Sequence, residues 1–182
     1  MARLPYVDPA TAPEEVRATL EQLPIRLNVF RMMAHATTNF RPLVRLGTSI
    51  LGQQKLPAAL RELAILRVAS LSAARYEWVQ HVPIAQAVGV TPGEVAALER
   101  GDLEDPAFDS RARAVLRFTT EVVRDVRASD ASFADVAKVL TPQEVVELLL
   151  AIGYYMLIAR LLETTAVDLD PPAGTRIIDS IR

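Results

Sequence analysis

The side chains best suited to moving a proton lie in one short stretch, Arg75-Tyr76-Glu77-Trp78-Val79-Gln80-His81. In a helix, Glu77 stands one turn before His81 on the same face. A carboxylate in that position can hold the imidazole N–H, fix its tautomer and raise its basicity. Tyr76 and Trp78 would add an apolar wall with a hydroxyl at its edge. The same spacing also describes an ordinary surface or capping pair, so both readings stand at this point. Upstream, Glu62 sits in Leu60-Arg61-Glu62-Leu63-Ala64-Ile65-Leu66. It either points to solvent beside Arg61 or is half buried, and burial would raise its pKa toward values useful for proton transfer. The other histidine is His35. With Glu77 and His81 it has the donor types of a two-histidine, one-carboxylate metal site, but nothing in the spacing places it near them. No metal and no cofactor are expected.

Composition removes several other chemistries. The chain of 182 residues contains no cysteine, which excludes disulfides, thiolate metal ligands, thiol nucleophiles and dithiol redox cycles. Its 20 Lys+Arg against 22 Asp+Glu leave a net charge of −2, with no basic block, so nucleic acid is not an expected partner. Gly-rich phosphate loops, Gly-x-Ser-x-Gly elbows and His-Glu-x-x-His zinc motifs are missing. The start, Met1-Ala2-Arg3-Leu4-Pro5-Tyr6, lacks the apolar region of a secretory signal. The longest uncharged apolar run, Leu148 to Ala159, is shorter than the ~20 residues of a membrane span and reads as a core helix. The expectation is a cytoplasmic protein with a small-molecule substrate and no membrane association.

The elements that must position these residues are helical. Apolar residues are 51% of the chain, enough for a sizeable core. No stretch alternates with a strand's period, and no Asn-Gly or Asp-Gly hairpin signal occurs. Thr11-Ala12-Pro13-Glu14, Thr91-Pro92-Gly93-Glu94 and Thr141-Pro142-Gln143-Glu144 each offer a threonine cap, an early proline and a glutamate that can reach back. Ala112, Val115, Leu116, Thr119, Val122, Val123 and Val126 mark a long amphipathic helix over 109–127. A second runs from Pro57 to Leu71, and a third, apolar nearly all round, from Gln143 to about Thr165. Shorter helices are expected at 14–23, 29–34, 40–51, 76–88, 94–98 and 133–139. The whole reads as a single all-α domain over 1–182, with a core at about 40–165 and arms at 1–10 and 167–182.

Taken together, Leu60 to Ala69, Tyr76-Glu77-Trp78-Val79-Gln80-His81, Ile84-Ala85 and Val88-Gly89-Val90-Thr91 resemble the carboxymuconolactone decarboxylase and alkylhydroperoxidase D superfamily. Leu140-Thr141-Pro142-Gln143-Glu144 to Leu148, Gly153-Tyr154-Tyr155 and Ala159-Arg160 look like that family's second helical half. The resemblance implies a helical bundle with a site-bearing hairpin, assembled as a homo-oligomer, a trimer or hexamer. In the family's peroxidase branch a Glu, a Cys-x-x-Cys pair and a His form a proton relay. By register the Glu is Glu62 and the His is His81, while the cysteine positions hold Ala74 and Glu77. Met156 stands where many relatives carry Asn. Without sulfur there is nothing for peroxide to oxidise, so thiol-dependent peroxidase activity is not expected. The cysteine-free, decarboxylase-like branch implies a cofactor-free lyase or isomerase acting on a small carboxylated lactone or related enolisable compound. Glu62, Glu77 and His81 would be catalytic, and Tyr76, Trp78 and Arg67 would bind substrate, the arginine neutralising a carboxylate. The alternative is a ligand-binding or structural oligomer that kept the scaffold without the catalysis.

Overall fold

The computed structural model describes residues 1–179; residues 180–182 of the expected C-terminal arm lie outside the described residues. Every regular element in it is helical: α1 (Glu14–Glu21), α2 (Asn28–Met33), α3 (Thr37–Gln53), α4 (Ala58–Leu71), α5 (Arg75–Ala87), α6 (Pro92–Arg100), α7 (Ser110–Asp125), α8 (Asp130–Val139), α9 (Pro142–Thr165) and the short α10 (Arg176–Asp179). The first nine fall where periodicity and capping residues put them, with ends displaced by a few residues, as fraying helix ends commonly are.

Helix α4 is the axis of the molecule. It packs against α5, α7 and α9, and all its residues from Leu60 to Ala69 are buried, Arg61, Glu62 and Arg67 included. A helix surrounded on all sides cannot show an amphipathic stripe; its charged residues persist only because each is hydrogen-bonded. Around it Leu63, Leu66, Phe108, Leu116, Phe118 and Leu148 form the larger core. A smaller core joins Val16, Leu20, Met33, Phe40 and Ile158 under the N-terminal helices. Of the candidate residues, Tyr76, Glu77 and His81 of α5 line a space bordered by residues of both cores.

Two of the three expected caps form as full capping boxes. Thr91 and Thr141 each accept from the backbone N–H three residues on, while Glu94 and Glu144 reach back. The first does not: α1 starts with Pro13 at its N-cap, without a side-chain cap. The intervening Ala12 moves the helix start away from Thr11, whose backbone N–H and hydroxyl turn back to Asp8 instead.

The arms are docked. Asp168 accepts from the Tyr6 hydroxyl and from the Ala2 N–H. Asp170 accepts from the Asn28 N–H at 2.7 Å. Ala166, in the left-handed conformation at φ 51°, ends α9 and turns the chain into this strap. Helix α9 has 24 residues and, by length and composition alone, is apolar enough to cross a membrane. Its inner side, with Leu148, Ile152, Tyr155 and Leu162, is buried; its outer side exposes Val146, Leu149, Leu150 and Leu157.

Candidate active site

Only three residues separate α4 from α5, so the two form a tight hairpin. Glu62 on α4 is 0% exposed. Its Oε2 lies 2.8 Å from Nδ1 of His81 on α5, and its Oε1 accepts from Nε–H of Arg61 at 3.2 Å. With Nδ1 turned to a carboxylate oxygen, the proton of a neutral imidazole sits on Nδ1, leaving the Nε2 lone pair free. The ring of Tyr155 on α9 stands edge-on to His81, 4.7 Å between centroids.

Glu77 shares the face of α5 with His81 but does not hold it. Its carboxyl is 2% exposed, and neither oxygen has a hydrogen-bond partner among the described residues. The expected Glu77–His81 contact is thus replaced by Glu62–His81, because the imidazole turns toward α4. Burial, with Glu163 and Glu62 nearby, pushes the Glu77 carboxyl well above the usual carboxylate range.

Glu77 and His81 line one cavity of about 110 Å³. Its remaining wall is mostly apolar, with Phe30 and Met33 from α2, Val44 from α3, Ile84 from α5 and Ile158 from α9, and no Lys or Arg lines it among the described residues. The volume compares with the roughly 150 Å³ cavity that accepts a benzene ring. Tyr154 also lines it; its hydroxyl donates to the Leu43 carbonyl at 3.1 Å, and burial with Glu77 close by pushes it up to about 12. It crosses α3 at Gly47, where a Cβ would stand 2.5 Å from the hydroxyl oxygen. This glycine is required by the close approach.

The expected binding residues are distributed otherwise. Tyr76 lines the cavity, but its hydroxyl donates to the Asp170 carboxylate and is committed to the strap. Trp78 lies on a different side of α5 and lines a separate recess with Ala69, Ser70 and Arg75. The reason is angular: Trp78 is about 200° round the helix from Gln80, a cavity residue. Arg67 points toward α7 and donates to the Thr120 hydroxyl at 2.9 Å; five residues beyond Glu62, it faces another side of α4, and burial lowers its pKa. His35 is remote from the hairpin, with Nε2 at 2.6 Å from the Pro5 carbonyl, so the two-histidine metal set does not assemble. Among the described residues no group of three His, Asp or Glu converges as a metal site.

Four participants have little or no signature in the chain. Tyr155 and Tyr154 carry one, two adjacent tyrosines inside an apolar run, whose hydroxyls must be accommodated on burial. Gly47 and Gln80 carry none. The Gln80 amide donates to the Asp170 and Pro171 carbonyls and accepts from the Ala173 N–H at 2.9 Å, so the strap is bound along the cavity wall.

The same hairpin recurs in known proteins. Residues 38–121 match the model of the Carboxymuconolactone decarboxylase family. No curated protein matches the chain. Among solved structures, the alkylhydroperoxidase AhpD core of an uncharacterized peroxidase-related protein from Ralstonia eutropha JMP134 superposes with a TM-score of 0.79 at 19% identity, covering 93% of this chain and 92% of that one. A peroxidase-related protein from Silicibacter sp. TM1040 gives 0.77 at 18% identity, with the same 93% and 92% coverage. The debrominase Bmp8, as a cysteine-to-alanine variant with 2,3,4-tribromopyrrole, gives 0.76 at 17% identity, covering 100% of both chains. At these identities the three show a common fold. The stretch that matches the Carboxymuconolactone decarboxylase family model, residues 38–121, contains the α4–α5 hairpin, and the chain shares the all-helical fold of the alkylhydroperoxidase AhpD core.

Proposed function

We propose that the protein is a cofactor-free lyase or isomerase that transfers protons on a small lactone or related enolisable carbonyl compound. The observation that carries this reading is one apolar cavity containing both a buried, carboxylate-held imidazole and a buried, unpartnered carboxyl. The Nε2 of His81 takes a proton from the carbon next to the carbonyl, or returns one to it. Glu62 stabilises the imidazolium that forms, as an orienting carboxylate does in other histidine-based catalysts. When a substrate that enters as the neutral carboxylic acid loses CO₂, Nε2 of His81 takes up the acid proton and the imidazolium returns it to the dienolate left behind. The developing oxyanion is met by the Glu77 O–H or by the hydroxyl of Tyr155, in a low-dielectric setting where such a hydrogen bond is strong.

Tyr76, Trp78 and Arg67 have no part in this scheme. With no cation lining the cavity among the described residues, the reacting portion of the substrate is uncharged, and a carboxyl group that leaves as CO₂ enters protonated or at the mouth. The cytoplasm is the proposed compartment. A second copy of the chain is proposed to cover the outer side of α9, giving a homo-oligomer, a trimer or hexamer.

Simple carbonyl compounds suffice to test the scheme. A panel of butenolides and cyclic ketones in D₂O is followed by NMR for hydrogen–deuterium exchange next to the carbonyl. The native protein accelerates exchange on some member, and His81→Ala and Glu62→Gln lower that rate by about 10²–10⁴. Equal rates for native protein and His81→Ala would remove the scheme.

A further inference from the structure

The two oxygens of Glu77 are an unusual feature. Glu77 lines a cavity of about 110 Å³, and its two oxygens, both closed off from solvent, meet no protein donor or acceptor among the described residues. A buried carboxyl with no partner is costly, and a ligand that satisfies it recovers that cost on binding. No Lys or Arg is available in the described lining to neutralise an anion, while Glu62 stands behind His81 and Glu163 lies near Glu77. An anionic ligand would bring like charge against these carboxyls in a low-dielectric space. The volume admits about one ring.

We propose that Glu77 reads its ligand through a two-point hydrogen bond, so that the cavity takes an uncharged five- or six-membered ring presenting a donor and an acceptor side by side, a cyclic secondary amide or its vinylogue. The Glu77 O–H donates to the ring carbonyl, and the other Glu77 oxygen accepts the ring N–H. The two bonds close a planar pairing that uses both free oxygens. A lactone or ketone satisfies only one of them. The proposal deepens the reading of the cavity as the substrate site and rests on that reading, but not on proton transfer.

The test is calorimetric titration with δ-valerolactam, its N-methyl derivative, cyclohexanone and piperidine, rings of matched size. δ-Valerolactam is expected to bind about tenfold tighter than cyclohexanone or the N-methyl lactam, a difference of about 1.4 kcal/mol. Glu77→Gln, whose amide is likewise one donor beside one acceptor, keeps that preference; Glu77→Leu loses it. The proposal is overturned if the lactam shows no advantage, if the advantage survives Glu77→Leu, if Glu77→Gln abolishes it, or if piperidine binds tightest, which would mark an ionised carboxylate. Comparison of the four ligands on the native protein decides the matter even where a variant folds poorly. The affinities are read without turnover, so failure of the catalytic scheme shows in exchange rates and failure of this one in binding.

Discussion

Glu62 and His81, 19 residues apart in the chain, meet at 2.8 Å with the carboxylate fully out of solvent. That one contact ties α4 to α5, sets the imidazole tautomer and directs Nε2 away from α4. It follows that ¹⁵N-resolved NMR of neutral His81 will show the Nδ1–H form, and that Glu62→Gln, whose amide can turn either its oxygen or its nitrogen to the ring, weakens that preference. A dominant Nε2–H form in the native protein would contradict the assignment.

The same carboxylate also answers the Arg61 guanidinium. Glu62→Ala leaves a buried arginine and a buried histidine without their acceptor, a loss of about 3–5 kcal/mol by analogy with broken buried pairs. Urea unfolding checks the size, and Glu62→Gln should recover part of it. A change below about 1 kcal/mol in the alanine variant would mean that water or another side chain replaces the carboxylate.

Glu77 makes stability depend on pH in a defined direction. Its carboxyl is raised in the folded protein above the ordinary value of 4.5, first by burial and then by Glu163 and Glu62. The folded state therefore holds a proton that the unfolded chain releases. The associated stability is complete below the unfolded-state pKa and is lost as pH rises toward the folded one, at up to about 1.4 kcal/mol per pH unit. Denaturant melts from about pH 5 upward should show that slope in the native protein and a flatter curve in Glu77→Gln. Parallel curves would refute the assignment.

Gly47 and Tyr154 must be considered as a pair. Alanine is ordinarily the better helix residue by ~1 kcal/mol, yet Gly47→Ala puts a methyl 2.5 Å from the Tyr154 hydroxyl oxygen. We expect a net loss of about 1–3 kcal/mol from overpacking, with partial recovery in the double variant that adds Tyr154→Phe. Additive effects in the resulting double-mutant cycle would show that the two residues do not interact.

The outer side of α9 predicts association. Val146, Leu149, Leu150 and Leu157 are apolar yet 57%, 39%, 49% and 42% exposed, and they recur at helical spacing on one stripe. Velocity sedimentation of the native protein should show an oligomer, and Leu150→Lys should shift it toward the single chain. A native protein that sediments as one 20.0 kDa chain removes the proposal.

Much of this protein follows from local order along the chain. The helix starts at Thr91 and Thr141 depend on residues within one turn, and the stripe from Ala112 to Val123 repeats at a fixed period, so both are visible without a third dimension; Val126, expected on that stripe, instead ends α7 in the left-handed conformation and is exposed. The candidate set Glu62, Glu77 and His81 can be picked out for a similar reason, since its members lie on a short hairpin. Which carboxylate holds the histidine is not. That depends on how α4 sits against α5, and two glutamates at plausible spacing compete until packing selects one. Proximity in sequence puts Trp78 and Arg67 at the site, but a helix turns about 100° per residue, and neighbours in the chain face different partners. The cavity itself is invisible in the chain. Its walls come from α2, α3, α5 and α9 and its border from a strap bound through Tyr76 and Gln80, groups brought together only when distant segments bury their apolar faces against one another.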